Sequence, residues 1–168
     1  MKIQNIIHSD LLAAQKLAYE PSGFTCKNLV QEKESREYGA FQFEMNNRRI
    51  KFRIGKVTPK KDGHFVTLWK RFNNGPILPF DLSDPVDLFV VSVCDDKYLG
   101  QFVFSKEVLC EKGFVSKEKK GGKRAMRVYP PWVITANPKA KKTQVWQLMH
   151  YLEIQPKIDI DNLQRLFH

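Results

Sequence analysis

The sequence predicts an α+β fold, with a mostly antiparallel or mixed central sheet of five or six strands and with N- and C-terminal helices packed against one face. Three observations predict it: a helical segment comes first, short alternating segments separated by turn signals follow, and helical segments return towards the C-terminus. The chain has 168 residues, of which 42% are hydrophobic, so we expect one domain over residues 1–168 with a substantial core.

The first predicted elements are a helix and a β-hairpin. HSDLLAAQKLAYEPSG predicts a helix that Ser9 caps and that ends before Gly23. FQFEM and RRIKFRI alternate apolar and polar residues around an Asn-Asn turn signal, which predicts a hairpin over about residues 40–56. In its second strand the apolar residues predict a buried face, and the basic residues predict an exposed face formed by Arg49, Lys51 and Arg53.

The middle of the chain reads as further strands. TPKKDG predicts a turn, HFVTLWKR predicts a strand, and NNGPILP breaks it. VDLFVVSV is almost wholly apolar, which is typical of a strand buried on both faces, and GQFVFSK is its predicted hairpin partner. EVLCEKG predicts a short helix, EKKGGKR a mobile basic loop, and RAMRVYP the last strand.

Two helices are predicted at the C-terminal end. PKAKKTQVWQLMHYLEI has the periodicity of a helix, with an apolar face formed by Val145, Leu148, Met149 and Leu152. DIDNLQRLF predicts a short final helix that Asp159 or Asp161 caps.

The positive charge of the chain is concentrated in two segments. The formal net charge is +10, and residues 48–71 carry nine Lys and Arg against one Asp. Residues 106–127 carry eight Lys and Arg against three Glu, so the rest of the chain is net acidic. This distribution favours an anionic partner, with nucleic acid ahead of an anionic membrane surface, although net charge alone also fits a basic surface without a ligand.

Cysteine and histidine usage argues against several classes of site. Three cysteines without a CxxC pair indicate neither a disulfide framework nor a zinc site, and they fit a reducing cytoplasm. The four histidines lack metal-binding spacing. Because the N-terminus does not resemble a signal peptide and no apolar run is long enough to span a bilayer, we expect a cytoplasmic protein without membrane attachment.

Basic residues with aromatic neighbours form the strongest functional signal. Cationic side chains at every second position of a strand lie about 7 Å apart, which matches the spacing of phosphates along a nucleic acid strand. Aromatic rings beside such a surface can stack on bases, although core packing is the alternative role for each of them. The candidate nucleic-acid-binding residues are Arg49, Lys51, Arg53, Lys56, Lys60, Lys61, Trp69, Lys70, Arg71, Lys123, Arg124, Arg127, Tyr129 and Trp132.

A catalytic alternative rests on a few carboxylate and amide side chains. A Mg²⁺-dependent nuclease needs acidic ligands on neighbouring strands and a lysine beside the attacking water. Asp87, Gln101 and Lys106 are the candidates, but Lys106 lies five residues after Gln101, where this type of site has its lysine two residues on. Asp87 could equally cap a turn or pair with an arginine. We therefore expect no cofactor, except Mg²⁺ if the chain is a nuclease.

Several sequence blocks resemble one known family. FRIGKVTPKKDGHFVTLWKR, GPILPFD, GQFVFSK, GKRAMRVYPPW and KKTQVWQ are similar, in this order, to the motifs of the MepB-like family, over about residues 38–150. Gly55 and Ser105 stand where the family has Ala and Pro. The resemblance implies a restriction-endonuclease-like core and nucleic-acid binding without an established catalytic activity.

The sequence therefore predicts a nucleic-acid-binding protein that uses phosphate contacts and base stacking and favours single-stranded DNA or RNA. The alternatives are a Mg²⁺-dependent nuclease on the same surface and an interaction module for an acidic protein partner. The oligomeric state, the choice between DNA and RNA and the sequence preference stay undetermined at this point.

Overall fold

The computed structural model describes residues 7–168. The helices are α1 (Ser9–Ala14), α2 (Lys106–Glu111), α3 (Pro138–Leu148) and α4 (Ile160–Leu166). The strands are β1 (Lys27–Gln31), β2 (Phe41–Met45), β3 (Arg48–Ile54), β4 (Lys56–Thr58), β5 (Lys61–Thr67), β6 (Trp69–Arg71), β7 (Ile77–Pro79), β8 (Leu88–Cys94), β9 (Leu99–Ser105), β10 (Ala125–Val128) and β11 (Tyr151–Glu153). Residues 1–6, on which the expectation about a signal peptide partly rests, lie outside the described residues.

The strands form one large mixed sheet and two smaller ones. The large sheet has six strands in the order β1-β2-β3-β8-β9-β11. Its β3–β8 pair is parallel and its other pairs are antiparallel, which confirms the predicted mixed central sheet and the α+β class. A three-stranded sheet, β10-β5-β4, is called the small sheet below, and β6 pairs with β7.

Both faces of the large sheet are covered, which corrects the expectation that the helices pack on one face. Leu88 and Val90 of β8 pack in the cluster that contains residues of α1 and α4. Phe89 and Val91, on the opposite face, pack in the cluster that contains residues of the small sheet, α2 and α3. The apolar character of β8 on both sides requires this arrangement, because an uncovered face would expose its Val and Phe side chains to water.

The N-terminal helix and the β2–β3 hairpin form as predicted, with one correction. His8, not Ser9, is the N-cap of α1, and its Nδ1 accepts a hydrogen bond from the Asp10 backbone N–H at 3.1 Å. A π-helical and a 3₁₀ turn extend the helix to Gly23, whose φ of 82° ends it in the left-handed region. The Asn46-Asn47 turn has φ of 52° and 59°, as two-residue hairpins of type I′ require.

The C-terminal prediction is wrong in one segment. The predicted single helix ends at Leu148, and Tyr151–Glu153 form strand β11 at the edge of the large sheet. The side chains of Val145 and Met149, expected on the buried face, are each 64% exposed. Gln147 is buried instead, since its side-chain amide accepts from the Tyr129 N–H and donates to the Arg127 carbonyl. The final helix α4 is capped by Asp159, as predicted.

Besides β11, two strands, β1 and β7, have no counterpart among the predictions. The single strand predicted over HFVTLWKR is also wrong, because it is divided into β5 and β6, which lie in different sheets. β1 has the sequence KNLVQ and lies at the outer edge of the large sheet, where polar residues are tolerated on both sides. β7 is a three-residue strand that ends in proline, in the NNGPILP segment that was predicted only to end the preceding strand. Within residues 7–168, every helix is too short or too polar to cross a lipid bilayer.

Candidate nucleic-acid interface

The outer face of the small sheet carries aromatic rings with cations over them. Lys56 and Arg127 both lie opposite Phe65 in the strand register, on β4 and β10 respectively. The Arg127 guanidinium lies 5.6 Å from the Phe65 ring centroid, and the Lys56 ammonium lies 4.6 Å from that of Tyr38. Tyr38 contacts Phe65 edge to face, with centroids 6.3 Å apart. This face therefore presents partly buried aromatic surface and positive charge together.

A cation-rich cleft lies at one end of this face, and we call it the basic cleft. Its volume is about 530 Å³, and it lies between the β4–β5 turn, β10 and the start of α3. Its lining residues are Lys60, Lys61, Asp62, Arg127, Tyr129, Ala136, Asn137, Lys139, Ala140 and Thr143. Four of them are Lys or Arg and one is Asp, so the cleft is net positive.

Most cations of the basic cleft are available to a ligand. Lys60, Lys61 and Lys139 are exposed, and none of them forms a salt bridge with any residue between 7 and 168. Arg127 is held in place by hydrogen bonds to Thr58 Oγ1 at 2.8 Å and to the Asp62 carbonyl at 3.2 Å. Such an arrangement attracts phosphate without first having to break an ion pair.

The first turn of α3 adds to the positive potential of the basic cleft. Asn137 is the N-cap, and its Oδ1 accepts a hydrogen bond from the Ala140 N–H at 2.7 Å. The free backbone N–H groups of a helix start carry partial positive charge, which favours an anion nearby. Asp62 opposes this charge in part, because its Oδ2 accepts from the Ala136 N–H at 3.1 Å.

A second cleft contains the motif residues of β3 and β6, and we call it the ion-pair cleft. Its volume is about 590 Å³. Its lining residues are Glu32, Lys33, Glu34, Ser35, Lys51, Arg53, Trp69, Lys70, Arg71, Asn73, Asn74 and Phe80. It therefore gathers five of the predicted nucleic-acid-binding residues but also two glutamates.

The motif cations of the ion-pair cleft are paired with carboxylates. Glu32 binds Lys51 at 2.7 Å and also binds Arg53. Two further pairs are Lys70–Asp84 at 2.6 Å and Arg71–Glu34 at 2.8 Å. These carboxylates compete with phosphate for the same donors, so this cleft is a weaker general phosphate surface than the basic cleft.

Arg53 does not lie on an exposed face, which corrects the prediction for β3. Only 2% of its surface is exposed, because it lies opposite Val91 of β8 on the face that the small sheet and its neighbouring segments cover. Arg49, two positions before Lys51, stays exposed and donates to Asp87 from Nε at 3.1 Å and from Nη2 at 3.3 Å.

The three candidate catalytic residues do not converge. Asp87 lies beside Lys106, whose backbone N–H donates to the Asp87 carbonyl at 3.2 Å. Gln101 lies opposite Ser92 in the β8–β9 register. Ser92 is five residues beyond Asp87, so Asp87 and Gln101 are separated by about 17 Å along the strand direction. Gln101 is also fully buried on the other face of the sheet and accepts a hydrogen bond from Tyr19 Oη at 2.6 Å.

The donor set around Asp87 does not fit a magnesium ion. Its carboxylate accepts the Arg49 backbone N–H at 2.8 Å as well as the Arg49 guanidinium, and these bonds hold the pKa of Asp87 below its usual range. Between residues 7 and 168, no three His, Cys, Asp or Glu side chains gather into a metal-binding group. Asp87 therefore has the structural role of pairing with Arg49, the alternative considered from the sequence.

The basic loop, residues 117–124, is anchored to the domain. Asp81 is buried and accepts hydrogen bonds from Ser116 Oγ at 2.6 Å and from the Lys119 N–H at 2.9 Å. At the loop end, the Lys123 ammonium lies over the Phe114 ring at 5.3 Å, and the Arg124 carbonyl accepts from the Leu68 N–H. The loop backbone is thus tied to the domain, and the loop cations lie outside both clefts.

The predicted stacking residues have different surroundings. Trp69 is partly buried in the ion-pair cleft, with the Arg71 guanidinium 5.4 Å from its ring centroid. Tyr129 lines the basic cleft. Trp132 stacks on Tyr98 at 5.8 Å and contacts His64 edge to face, so it packs within the protein and presents little free ring surface.

Several residues of the two clefts were not among the predictions. Lys139 and Asn137 complete the basic cleft. Glu32 and Glu34 make the ion-pair cleft less positive than its motif cations alone would. The Asn-Pro pair at 137–138 is a helix-start signal, from which the positive helix end at this place could have been predicted. The pairing of Glu32 with β3 had no comparable signal, because it depends on the unpredicted strand β1 and the turn after it.

Comparisons with known proteins agree on one family. The family model described as MepB-like matches residues 32–153. The solved structure entitled "Crystal Structure of MepB" matches with a TM-score of 0.76 and 32% sequence identity, covering 90% of this chain and 100% of that one. No curated protein matches the sequence. The similarity to MepB therefore extends over most of this chain.

Proposed function

The chain belongs to the MepB-like family, and we propose that it binds nucleic acid through the basic cleft and the adjoining outer face of the small sheet. The observation that carries this proposal is a set of exposed cations around a helix start, Lys60, Lys61 and Lys139, which form no ion pair with any residue between 7 and 168. Cations that contact phosphates supply a large share of the affinity of a protein for a nucleic acid backbone.

Aromatic side chains beside these cations favour a single strand over a duplex. Tyr38, Phe65 and Tyr129 are each partly exposed, and the first two lie next to Lys56 and Arg127. Unpaired bases can stack on such rings while the backbone follows the cations, whereas the bases of a duplex are already stacked on each other. The three cysteines are free thiols, which supports the further proposal that this binding takes place in the cytoplasm.

Fluorescence anisotropy with a labelled single-stranded oligonucleotide of about ten nucleotides tests the proposal. The Lys60→Ala/Lys61→Ala variant should bind clearly more weakly than the wild type. A matched control, Lys27→Ala/Lys157→Ala, removes two exposed lysines outside both clefts and should bind like the wild type. No detectable binding by the wild type at low salt, or equal losses in both variants, would refute the proposed site.

A further inference from the structure

The inner wall of the ion-pair cleft carries an uncompensated positive charge. Glu32 is the one carboxylate, among residues 7–168, that forms ion pairs with Lys51 and Arg53. The other hydrogen-bond acceptor of Lys51 is neutral, because its Nζ donates to Gln42 Oε1 at 2.8 Å. One negative and two positive groups leave a net charge of +1, and Arg53 is only 2% exposed. A second anion at this point would therefore be stabilised more than at an exposed lysine.

The Arg53 guanidinium has hydrogen-bonding capacity to spare. All of its hydrogen bonds to described residues use Nη1, which donates to Glu32 and to the Phe52 carbonyl at 3.0 Å. Its Nε is buried and has no partner among residues 7–168. The Nε edge of a guanidinium is one that forms paired hydrogen bonds with two phosphate oxygens, and an unpartnered buried donor is costly unless a ligand satisfies it.

We propose that the ion-pair cleft binds the terminal phosphate of a nucleic acid strand, with Arg53 as its main ligand. The proposal rests on the proposed function. A phosphodiester inside a strand has sugars on both sides and binds best at an open surface. A terminal phosphomonoester can enter a cleft to reach a buried side chain, and it brings a second negative charge.

The other walls of the cleft suit the nucleotide that carries this phosphate. Trp69 presents a partly buried ring on which the terminal base can stack. Asn73 and Asn74 are exposed side-chain amides that can donate and accept hydrogen bonds. The cleft volume of about 590 Å³ accommodates one nucleotide, in the range of small-molecule sites.

Three oligonucleotides of the same sequence test the proposal: one with a 5′-phosphate, one with a 3′-phosphate and one with neither, each with an internal fluorescent base. For the wild type, one terminal phosphate should raise the affinity by about tenfold or more. The Arg53→Lys variant keeps the charge but loses the paired donors, so the ratio between phosphorylated and unphosphorylated strands should fall close to one. Circular dichroism confirms that the variant is folded.

The Lys60→Ala/Lys61→Ala variant separates this proposal from the proposed function. It should weaken the binding of all three strands and leave their ratio unchanged, since it acts on the basic cleft only. The terminal-phosphate site is refuted if neither terminal phosphate raises the affinity of the wild type, or if folded Arg53→Lys keeps the full affinity ratio. The proposed function is decided separately, by whether the wild type binds the unphosphorylated strand. A competition experiment with the wild type alone gives the same answer. Adenosine 5′-monophosphate should displace the terminally phosphorylated strand and adenosine should not, and equal displacement by the two, or displacement by neither, refutes the site.

Discussion

Salt dependence gives a quantitative test of how the basic cleft binds. The perturbation is Lys60→Ala/Lys61→Ala, which removes two of the four Lys and Arg side chains that line the cleft. Both lysines are exposed and form no ion pair within residues 7–168, so the substitutions remove charge without removing core contacts. The fold should therefore be unaffected, and urea denaturation provides the check.

The expected magnitude follows from the number of cations. Each phosphate contact with a single strand contributes about −0.7 to the slope of log affinity against log salt concentration, so four contacts give a slope of about −3. Removal of two cations should bring the slope to about −1.5. Between about 50 mM and about 200 mM salt, the wild type should lose about 50-fold in affinity and the variant about sevenfold.

The assay is anisotropy of a labelled single strand across a KCl series, with Lys27→Ala/Lys157→Ala as the matched control. The control should keep the wild-type slope. Equal slopes for the wild type and the cleft variant would show that Lys60 and Lys61 make no phosphate contacts, and the reasoning from unpaired cations would then be wrong.

Three further predictions concern the stability of the fold. Asp81→Ala removes the anchor of the basic loop, so we expect a loss of about 2 kcal/mol in urea denaturation and faster amide exchange in that loop; wild-type exchange there would contradict the role. Burial lowers the pKa of His64, so as the pH falls the unfolded state protonates this imidazole before the folded state does. The free energy of unfolding should therefore fall as the pH drops below about 6.5, and it should fall less in His64→Leu. Equal pH profiles of the two proteins would exclude His64 as a cause. Tyr19→Phe leaves the buried Gln101 side chain without its donor and should cost about 1–3 kcal/mol in the same denaturation assay, and an unchanged stability would refute that hydrogen bond.

Local patterns were enough to predict the centre of the fold. The β2–β3 hairpin follows from strict alternation around a turn that both asparagines can form, and the β8–β9 hairpin from an apolar run next to a turn. The cap of α4 at Asp159 is equally local, because its side chain bonds to a backbone N–H three residues on. Such features need no knowledge of distant residues.

The parts that were missed depend on distant contacts. Gln147 is buried because its side chain bonds to the backbone of Arg127 and Tyr129, on both sides of Val128. The buried face of α3 is therefore the one that contains Gln147, not the apolar face that the periodicity indicated. Arg53 alternates like an exposed residue, yet segments from both earlier and later in the chain cover it. The separation of Asp87 from Gln101 depends on the β8–β9 register, in which Gln101 lies opposite Ser92. The restriction-endonuclease-like core stays a prediction from the family resemblance.

Hydrogen exchange with and without a single-stranded oligonucleotide tests the location of the binding site most directly. We expect slower exchange, on binding, in the β4–β5 turn, in β10 and in the first turn of α3, which together enclose the basic cleft. The surface of α1 and α4, on the opposite face of the large sheet, should exchange as in the free protein. Protection confined to α1 and α4, with none around Lys60 and Lys61, would contradict the proposed interface.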